Sequence, residues 1–183
     1  TTLPGVNTIA DGTAVKTPGK NIFPYIQKNL DDIITVPDEE LVVAFLDIVE
    51  NHKMVVENSG LLTVAALKHL NVQNQRVVSI LSGGNMDIIT MSSVVQQGLI
   101  FRDRIFTVSV LLPDKPGMLS KVADVIAKEN GNVIKLEHNQ FVSINRSAAV
   151  ELRITLETFG TEHKNQIIKA LEEKGYQPKQ VRT

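Results

Sequence analysis

Cysteine and tryptophan are both absent from these 183 residues, and only two tyrosines and six phenylalanines are present. Without cysteine there is no disulfide framework, no thiolate metal site and no cysteine nucleophile. Aromatics make up 4% of the chain and the formal net charge is -1, with both signs scattered. That leaves no basic stripe and few stacking rings, which argues against a nucleic-acid partner. No apolar run approaches the length of a membrane span, and no basic-then-apolar leader opens the sequence. The expectation is a soluble cytoplasmic protein with no membrane partner. An initiator methionine is missing too: the chain opens on Thr1-Thr2-Leu3-Pro4-Gly5, which reads as a fragment or a cleaved product. What is present, 43% hydrophobic and 21% charged residues, suits one large globular domain or two small ones.

The most informative local feature is Asp114-Lys115-Pro116-Gly117-Met118-Leu119. Before it, Phe106 to Leu112 alternates apolar with small polar residues, as a half-buried strand does. After it, Met118, Leu119, Val122, Val125 and Ile126 share one helical face. Pro116 suits the first turn of that helix, where its missing amide has no partner. Gly117 lets a ligand or another chain approach the backbone. Free amides at a positive helix end are a natural place for a small carboxylate. By itself this is also what an ordinary strand-to-helix turn looks like.

The rest of the C-terminal half sharpens the reading. Gly131 is the expected terminator of the helix, and Asn132 to His138 is a second strand. Asn145-Arg146-Ser147 reads as a turn. Val150, Leu152, Ile154 and Leu156, interleaved with Glu151, Arg153, Thr155 and Glu157, form the clearest period-two pattern in the chain. Gly160 ends it, and Thr161-Glu162-His163 opens a helix with the stripe Ile167, Ile168 and Leu171, ending at Lys174-Gly175. Tyr176 to Val181 is a weaker last strand, because Pro178 cannot donate to a ladder. The order is β-α-β-β-α-β, which packs both helices on one face of an antiparallel sheet.

On the element order, the Asp-Lys-Pro-Gly-Met-Leu turn and the Gly131-Asn132 pair, residues 105–183 resemble an ACT domain, a ferredoxin-like amino-acid-binding regulatory module. The resemblance implies an effector site at a domain–domain interface, formed by Asp114, Lys115, Gly117, Met118, Leu119 and Asn132. Asn132 reads equally well as a residue that simply closes the turn after Gly131. For Leu119, a plain core contact is the simpler reading.

Residues 1–100 read as alternating helices and strands. Thr8 to Lys20 is loop-like. A helix at Phe23 to Leu30 is followed by a strand at Asp32 to Val36. Pro37-Asp38-Glu39-Glu40 opens a helix with three acids against its positive end. Leu41, Phe45 and Ile48 are its buried face. A further helix runs from Asn58-Ser59-Gly60 through Leu67. Arg76 to Leu81 is a continuous apolar strand of the kind buried in a parallel sheet, and Ile88 to Leu99 is the last helix. Phe101 to Arg104 connects to the second domain. In a doubly wound sheet, ligands gather beyond the C-terminal strand ends, which is where Ser82-Gly83-Gly84-Asn85 falls. That turn alone could be a phosphate cradle, a serine nucleophile or an αβ corner. It lacks the lysine of a P-loop, and no histidine stands in a partner motif for a serine nucleophile.

Five segments together carry a second resemblance: Thr8-Ile9-Ala10-Asp11-Gly12, Asp31-Asp32-Ile33, Pro37 to Leu41, Val56-Glu57-Asn58-Ser59-Gly60 and Leu81 to Asn85. In this order they resemble the C-terminal part of the threonine ammonia-lyase (threonine dehydratase) and serine racemase group, on the type II pyridoxal-phosphate α/β fold. Joined to one ACT domain, the arrangement is that of single-ACT threonine ammonia-lyases. The resemblance implies pyridoxal phosphate as cofactor and places Ser82 at its pyridine nitrogen. Glu57 would line the pocket near the ring, Gly83 and Gly84 would let backbone approach its edge, and Gly12 would border the cleft. Serine at that nitrogen makes the ring a milder electron sink, suited to β-elimination. The family's Schiff-base lysine and phosphate loop have no match here, and neither Lys16 nor Lys20 stands in such a motif. The expectation is therefore a fragment without catalytic residues that does not itself retain the cofactor. Its longer parent would convert threonine to 2-oxobutanoate and ammonia for isoleucine synthesis. Its ACT unit would bind isoleucine or valine and self-associate. The alternatives are a non-catalytic amino-acid sensor, or a serine dehydratase or racemase parent.

Overall fold

A computed structural model describes residues 1–140 and 150–183. The turn expected at Asn145-Arg146-Ser147 lies outside the described residues. The chain divides into two compact units, Thr1–Gly98 and Leu99–Thr183. No helix among the described residues is long and apolar enough to cross a membrane.

The first unit is built on helix α2 (Asp38–His52), preceded by the short α1 (Phe23–Asn29). The acids Asp38, Glu39 and Glu40 oppose the dipole at the start of α2, and Lys53 ends it in the left-handed conformation at φ 57°. Leu41, Phe45 and Ile48 pack with Ala10, Val56, Leu61, Ala65 and Val94. The helix expected from Asn58 onward is broken into pieces: a 3-10 turn at Asn58–Leu61, α3 (Leu62–Ala65), and a second 3-10 turn at Ala66–His69. Helix α4 (Ile88–Phe101) closes the unit and runs on to the start of the second.

The strands expected at Asp32–Val36 and Arg76–Leu81 form no ladder among the described residues. Val78 and Ile80 are 90% and 71% exposed. A strand of a parallel sheet is defined by its neighbours, and an apolar run without a hydrogen-bonded partner stays irregular however suitable its residues.

In the second unit every strand finds its partners. Strands β1 (Ile105–Leu112), β2 (Asn132–Asn139), β3 (Val150–Glu157) and β4 (Lys179–Val181) form one antiparallel sheet in the order β2-β3-β1-β4. Helices α5 (Met118–Lys128) and α6 (Thr161–Glu173) connect them. The core is the alternating set Phe106, Val108, Val110, Leu152, Ile154 and Leu156 against Val122, Val125, Ile126, Ile167 and Leu171. The other face of the sheet is polar. It carries the Thr107–Thr155 hydroxyl pair and a bond from Ser109 to Glu151 that holds the Glu151 carboxyl below the usual range. Strand β4 is shorter than the expected Tyr176–Val181 because pairing begins only after Pro178.

Two local expectations are corrected. Pro116 is not in the first turn of α5. It occupies the second position of a type II turn, with Gly117 third at φ 82°, ψ -4°, and the Met118 amide donating to the Lys115 carbonyl at 3.3 Å. Nor does Gly131 take the left-handed position after α5: Asn130 does, at φ 60°. Gly131 follows it, donating to the Ile126 carbonyl at 2.9 Å as the last residue of a Schellman cap. It is small because a Cβ there would lie 2.7 Å from Ile126 Cγ2 and 2.9 Å from Ile167 Cδ1.

Phe101 to Arg104, expected as a plain connection, is the end of α4 and its cap. Asp103 is left-handed at φ 54°, and its carboxylate accepts from Lys164 Nζ at 2.8 Å and Thr161 Oγ1 at 2.8 Å. Thr158 adds a hydroxyl bond to the Asp103 carbonyl and an amide bond to the Arg104 carbonyl. Partial burial acts to raise the Asp103 pKa, but the Lys164 and Thr161 bonds outweigh it and hold the carboxyl below its ordinary value. A depressed folded-state pKa adds stability above the unfolded value of about 3.9, and that stability is lost as pH falls through the folded value. Asp103→Asn is therefore expected to destabilise this unit by about 1–2 kcal/mol at neutral pH. The gap from wild type should close on acidification below pH ~4. Thermal melts of both proteins across that range check this, and a gap independent of pH would refute the charge argument.

Candidate functional site

The first cluster is in unit 1 and joins segments far apart in sequence. Asp38 ties the Thr8 segment to α2, its carboxylate accepting from Thr8 Oγ1 at 2.6 Å and the Ile9 amide at 3.0 Å. Asn58 Nδ2 donates to the Ile9 carbonyl at 3.0 Å. The Glu57 amide donates to the Gly83 carbonyl at 3.3 Å, and the Gly60 amide to the Glu57 carbonyl at 2.9 Å. The 57–60 turn thus lies directly on Ser82-Gly83.

Glycines make these approaches possible. A Cβ at Gly60 would fall 1.9 Å from the Ser82 carbonyl oxygen, and one at Gly83 2.3 Å from the Glu57 carboxyl carbon. At Gly12 it would meet Ser59 Oγ at 2.8 Å and Glu57 Oε1 at 3.7 Å. Gly83 also holds φ 76°, where a side chain is strained in any case. Gly12, Glu57, Ser82 and Gly83 therefore come together, although 71 residues separate the first from the last. Gly84 is less constrained: its Cβ would sit 3.5 Å from the Val55 carbonyl, an ordinary contact.

Two oxygens in this cluster stand out. Asn58 Oδ1 and Ser59 Oγ are buried and meet no partner among the described residues. A buried polar atom left so is costly unless something bound supplies the hydrogen bond. Periodicity gave no sign of them. Beside Glu57 and Asn58 opens a cavity of about 470 Å³, lined also by Thr8, Asp11, Asn85 and Asp87. Asp87 caps α4, accepting from the Ile89 and Thr90 amides at 2.9 and 3.0 Å. The Thr90 hydroxyl bond is the main cause holding its carboxyl below the usual range.

The fit to pyridoxal phosphate can be judged from these groups. Glycine backbone, the Glu57 carboxylate, an exposed serine and two unpaired oxygens suit the polar edge of a planar heteroaromatic ring. Among the described residues no lysine or arginine lines the cluster or its cavity, so they offer a phosphate no cationic partner. The residues fit the ring and not the phosphate.

The second cluster is in unit 2. A cavity of about 320 Å³ is lined by Leu112, Asp114, Lys115, Gly117, Met118, Leu119, His138, Val150 and Leu152. Five of the six expected effector residues are among them. Leu112, Val150 and Leu152 are at most 3% exposed and make an apolar floor. Leu119 is 40% exposed, so it is not the core contact that its helical position suggested. The sixth, Asn132, stands at the opposite end of β2, its side-chain amide donating to Glu157 Oε2 at 3.0 Å. His138 lines the cavity instead, brought there by its pairing with Leu152. Its two-residue offset from Leu136 on the core face of β2 was the one sequence signal available.

Residues 1–83 match the pyridoxal-phosphate dependent enzyme family, and residues 106–175 match the ACT domain. The L-threonine ammonia-lyase of Geobacter sulfurreducens is 37% identical over 176 residues, covering 95% of this chain and 44% of that protein. The biosynthetic L-threonine dehydratase of Pasteurella multocida is 32% identical over 180 residues, covering 95% of this chain and 34% of that protein. Among solved structures, the processed form of threonine deaminase isoform 2 from Solanum lycopersicum aligns with 53% of this chain and 29% of its own. The identity there is 28% and the TM-score 0.49. The chain spans less than half the length of the relatives it matches.

Proposed function

We propose, from a chain whose residues 1–83 belong to the pyridoxal-phosphate dependent enzyme family and whose residues 106–175 are an ACT domain, that it is the C-terminal part of a regulated L-threonine ammonia-lyase. The parent converts threonine to 2-oxobutanoate and ammonia in isoleucine synthesis, as a cytoplasmic oligomer. One observation carries the reading: both families occur in order within a chain that aligns over 95% of its length with an L-threonine ammonia-lyase.

Pyridoxal phosphate, when bound, supplies the conjugated sink that lets bonds to the amino-acid α-carbon break. This chain's residues would hold its ring. Ser82 offers a hydroxyl to the pyridine nitrogen, Glu57 lines the pocket, Gly83 and Gly84 present backbone to the ring edge, and Gly12 borders the cleft. The domain boundaries follow the same division, with 1–100 serving the cofactor, 101–104 linking, and 105–183 binding the effector.

The 183-residue chain given pyridoxal phosphate and threonine is expected to form no 2-oxobutanoate, because no lysine in it stands in a Schiff-base motif. The full-length protein is expected to form it. Pyruvate from serine, with no 2-oxobutanoate from threonine, would transfer the reading to a serine dehydratase. In the full-length enzyme, Ser82→Ala should lower kcat about fivefold or more with little change in Tm, since one hydrogen bond of this kind is worth ~1 kcal/mol. An unchanged turnover number removes Ser82 from the site.

For the ACT unit the effector is a branched-chain amino acid, isoleucine or valine. Its carboxylate would face the amides opening α5, its ammonium Asp114, and its side chain the floor of Leu112, Val150 and Leu152. Lys115 and Met118 complete the wall. Self-association is supported by β2, an edge strand exposed along all eight residues. Pairing two β2 edges antiparallel sets Asn132 of one copy beside the turn of the other, the way in which Asn132 can reach the effector.

A further inference from the structure

Phe159 is 86% exposed, yet its ring is held in place. It stacks on the His163 ring with centroids 5.0 Å apart and 17° between planes. The Phe159 amide donates to His163 Nδ1 at 3.1 Å, so the imidazole hydrogen is on Nε2, which donates to the Glu129 carbonyl at 2.6 Å. His163 is buried and both its ring nitrogens are taken. One face of the Phe159 ring is thus fixed on the histidine and the other is left to solvent. A rigid aromatic surface of this kind loses little side-chain freedom when something binds to it.

Beside the ring opens a cavity of about 390 Å³, lined by Glu129, Asn130, Phe159, Glu162, His163 and Gln166. Its walls are the end of α5 and the first turns of α6. The two carboxylates come from opposite sides, and among the described residues no lysine or arginine lines the cavity. Lys164, next to His163 in sequence, is tied to Asp103 instead, at 2.8 Å. The C-terminal end of α5 adds negative potential, and Glu162 offsets the positive end of α6. An anion therefore has no charged partner here, which sets this cavity apart from one that takes an amino acid by its carboxylate. A cation meets an aromatic face and two acids. Of the cations, a guanidinium fits best: it is planar and weakly hydrated, stacks on a ring, and keeps its N–H edge free for a carboxylate.

We infer that this cavity binds a small organic cation with a guanidinium group, stacked on Phe159 and bonded to Glu129 and Glu162. The ligand carries no carboxylate and is of a different class from the amino-acid effector. The length of α5, roughly 16 Å at 1.5 Å per residue, separates the cavity from the Asp114–Leu119 turn. The two sites share no residue.

The test titrates the full chain with agmatine (4-aminobutylguanidine) and follows the amide NMR spectrum. Saturable shifts are expected at the Phe159 and Asn130 amides and the Gln166 side-chain amide, with residues 112–119 unmoved. 4-Guanidinobutanoate keeps the guanidinium but replaces the ammonium with a carboxylate. It should bind about tenfold or more weakly, since it sets an anion against Glu129 or Glu162. Glu129→Gln combined with Glu162→Gln should weaken agmatine binding about tenfold or more, and Phe159→Leu about three- to fivefold. These changes leave the His163 bonds to backbone in place, so each variant should still melt cooperatively. N-Acetyl-arginine methylamide, which presents the same group as a protein side chain would, should bind no tighter than agmatine. Tighter binding would give the site to an arginine of another chain and overturn the small-ligand reading. Absence of a saturable shift, shifts spread over both units, or an affinity unchanged in the double glutamine variant overturns the site itself. Wild-type affinity in Phe159→Leu overturns the stacking, and with it the choice of guanidinium.

Discussion

Gly60→Ala is expected to destabilise the first unit by about 3 kcal/mol or more, while Gly84→Ala, in the turn that Gly60 packs against, should stay within ~0.5 kcal/mol of wild type. The two glycines differ in what a methyl group would meet. At Gly60 the Cβ falls 1.9 Å from the Ser82 carbonyl oxygen, 2.9 Å from its carbon and 2.9 Å from Val56 Cγ1. Two of those atoms are backbone and cannot swing aside, so the 57–60 turn must separate from Ser82-Gly83. At Gly84 the nearest atom is 3.5 Å away and nothing has to move. Urea denaturation of both variants measures the difference. The consequence reaches the proposed cofactor cluster, since the same contact sets Glu57 against Gly83. Equal stability of the two variants would show that the turns do not touch as described.

The second unit was far more legible in sequence than the first, because every strand there has a hydrogen-bonded partner within the unit. Strand β3 pairs with both β2 and β1, and β1 also pairs with β4. Alternation in Val150 to Glu157 therefore specified both the strand and its buried face. In the first unit, Arg76 to Leu81 carries an equally strong apolar run, but no partner among the described residues makes it a strand. The piecewise Asn58–His69 region failed for another reason. Its residues favour helix, but tertiary contact at Gly60 tightens the first turn to 3-10 geometry. Local pattern could not bring Gly12, Glu57 and Gly83 together. Their joint occurrence in a familiar order did that, and the structure supplies the physical counterpart in three Cβ positions that other atoms fill. Asn58 Oδ1, Ser59 Oγ, His138 and the Asp103 cap had no signature at that level, because each depends on what lies across the fold. Asn130 and Gly131 show the finer limit. Sequence marks the end of α5 within a residue, but which of the two turns left-handed depends on the space Ile126 and Ile167 leave.

Gly117→Val is expected to reduce isoleucine or valine binding at the Asp114–Leu119 turn by about tenfold or more, while Gly117→Asn should retain most of it. A Cβ at Gly117 meets nothing within 4 Å, so space is not the issue. The backbone is: φ 82° with ψ -4° is the third position of a type II turn, open to glycine, tolerable for asparagine, and costly for a β-branched residue by roughly 1–3 kcal/mol. Valine relieves that strain by turning φ negative, which redirects the Lys115–Met118 segment and the amides that open α5. Since Leu112, Val150 and Leu152 lie on strands and keep their places, the apolar floor survives while the polar end of the cavity is lost. The expected signature is specific. Folding of the unit changes little, both variants melt as cooperatively as wild type, and only valine loses ligand affinity at the turn and, in the full-length enzyme, its effector response. If asparagine and valine behave alike, the left-handed turn is not what organises the site, and an effector response intact in both would place that site elsewhere on the ACT unit.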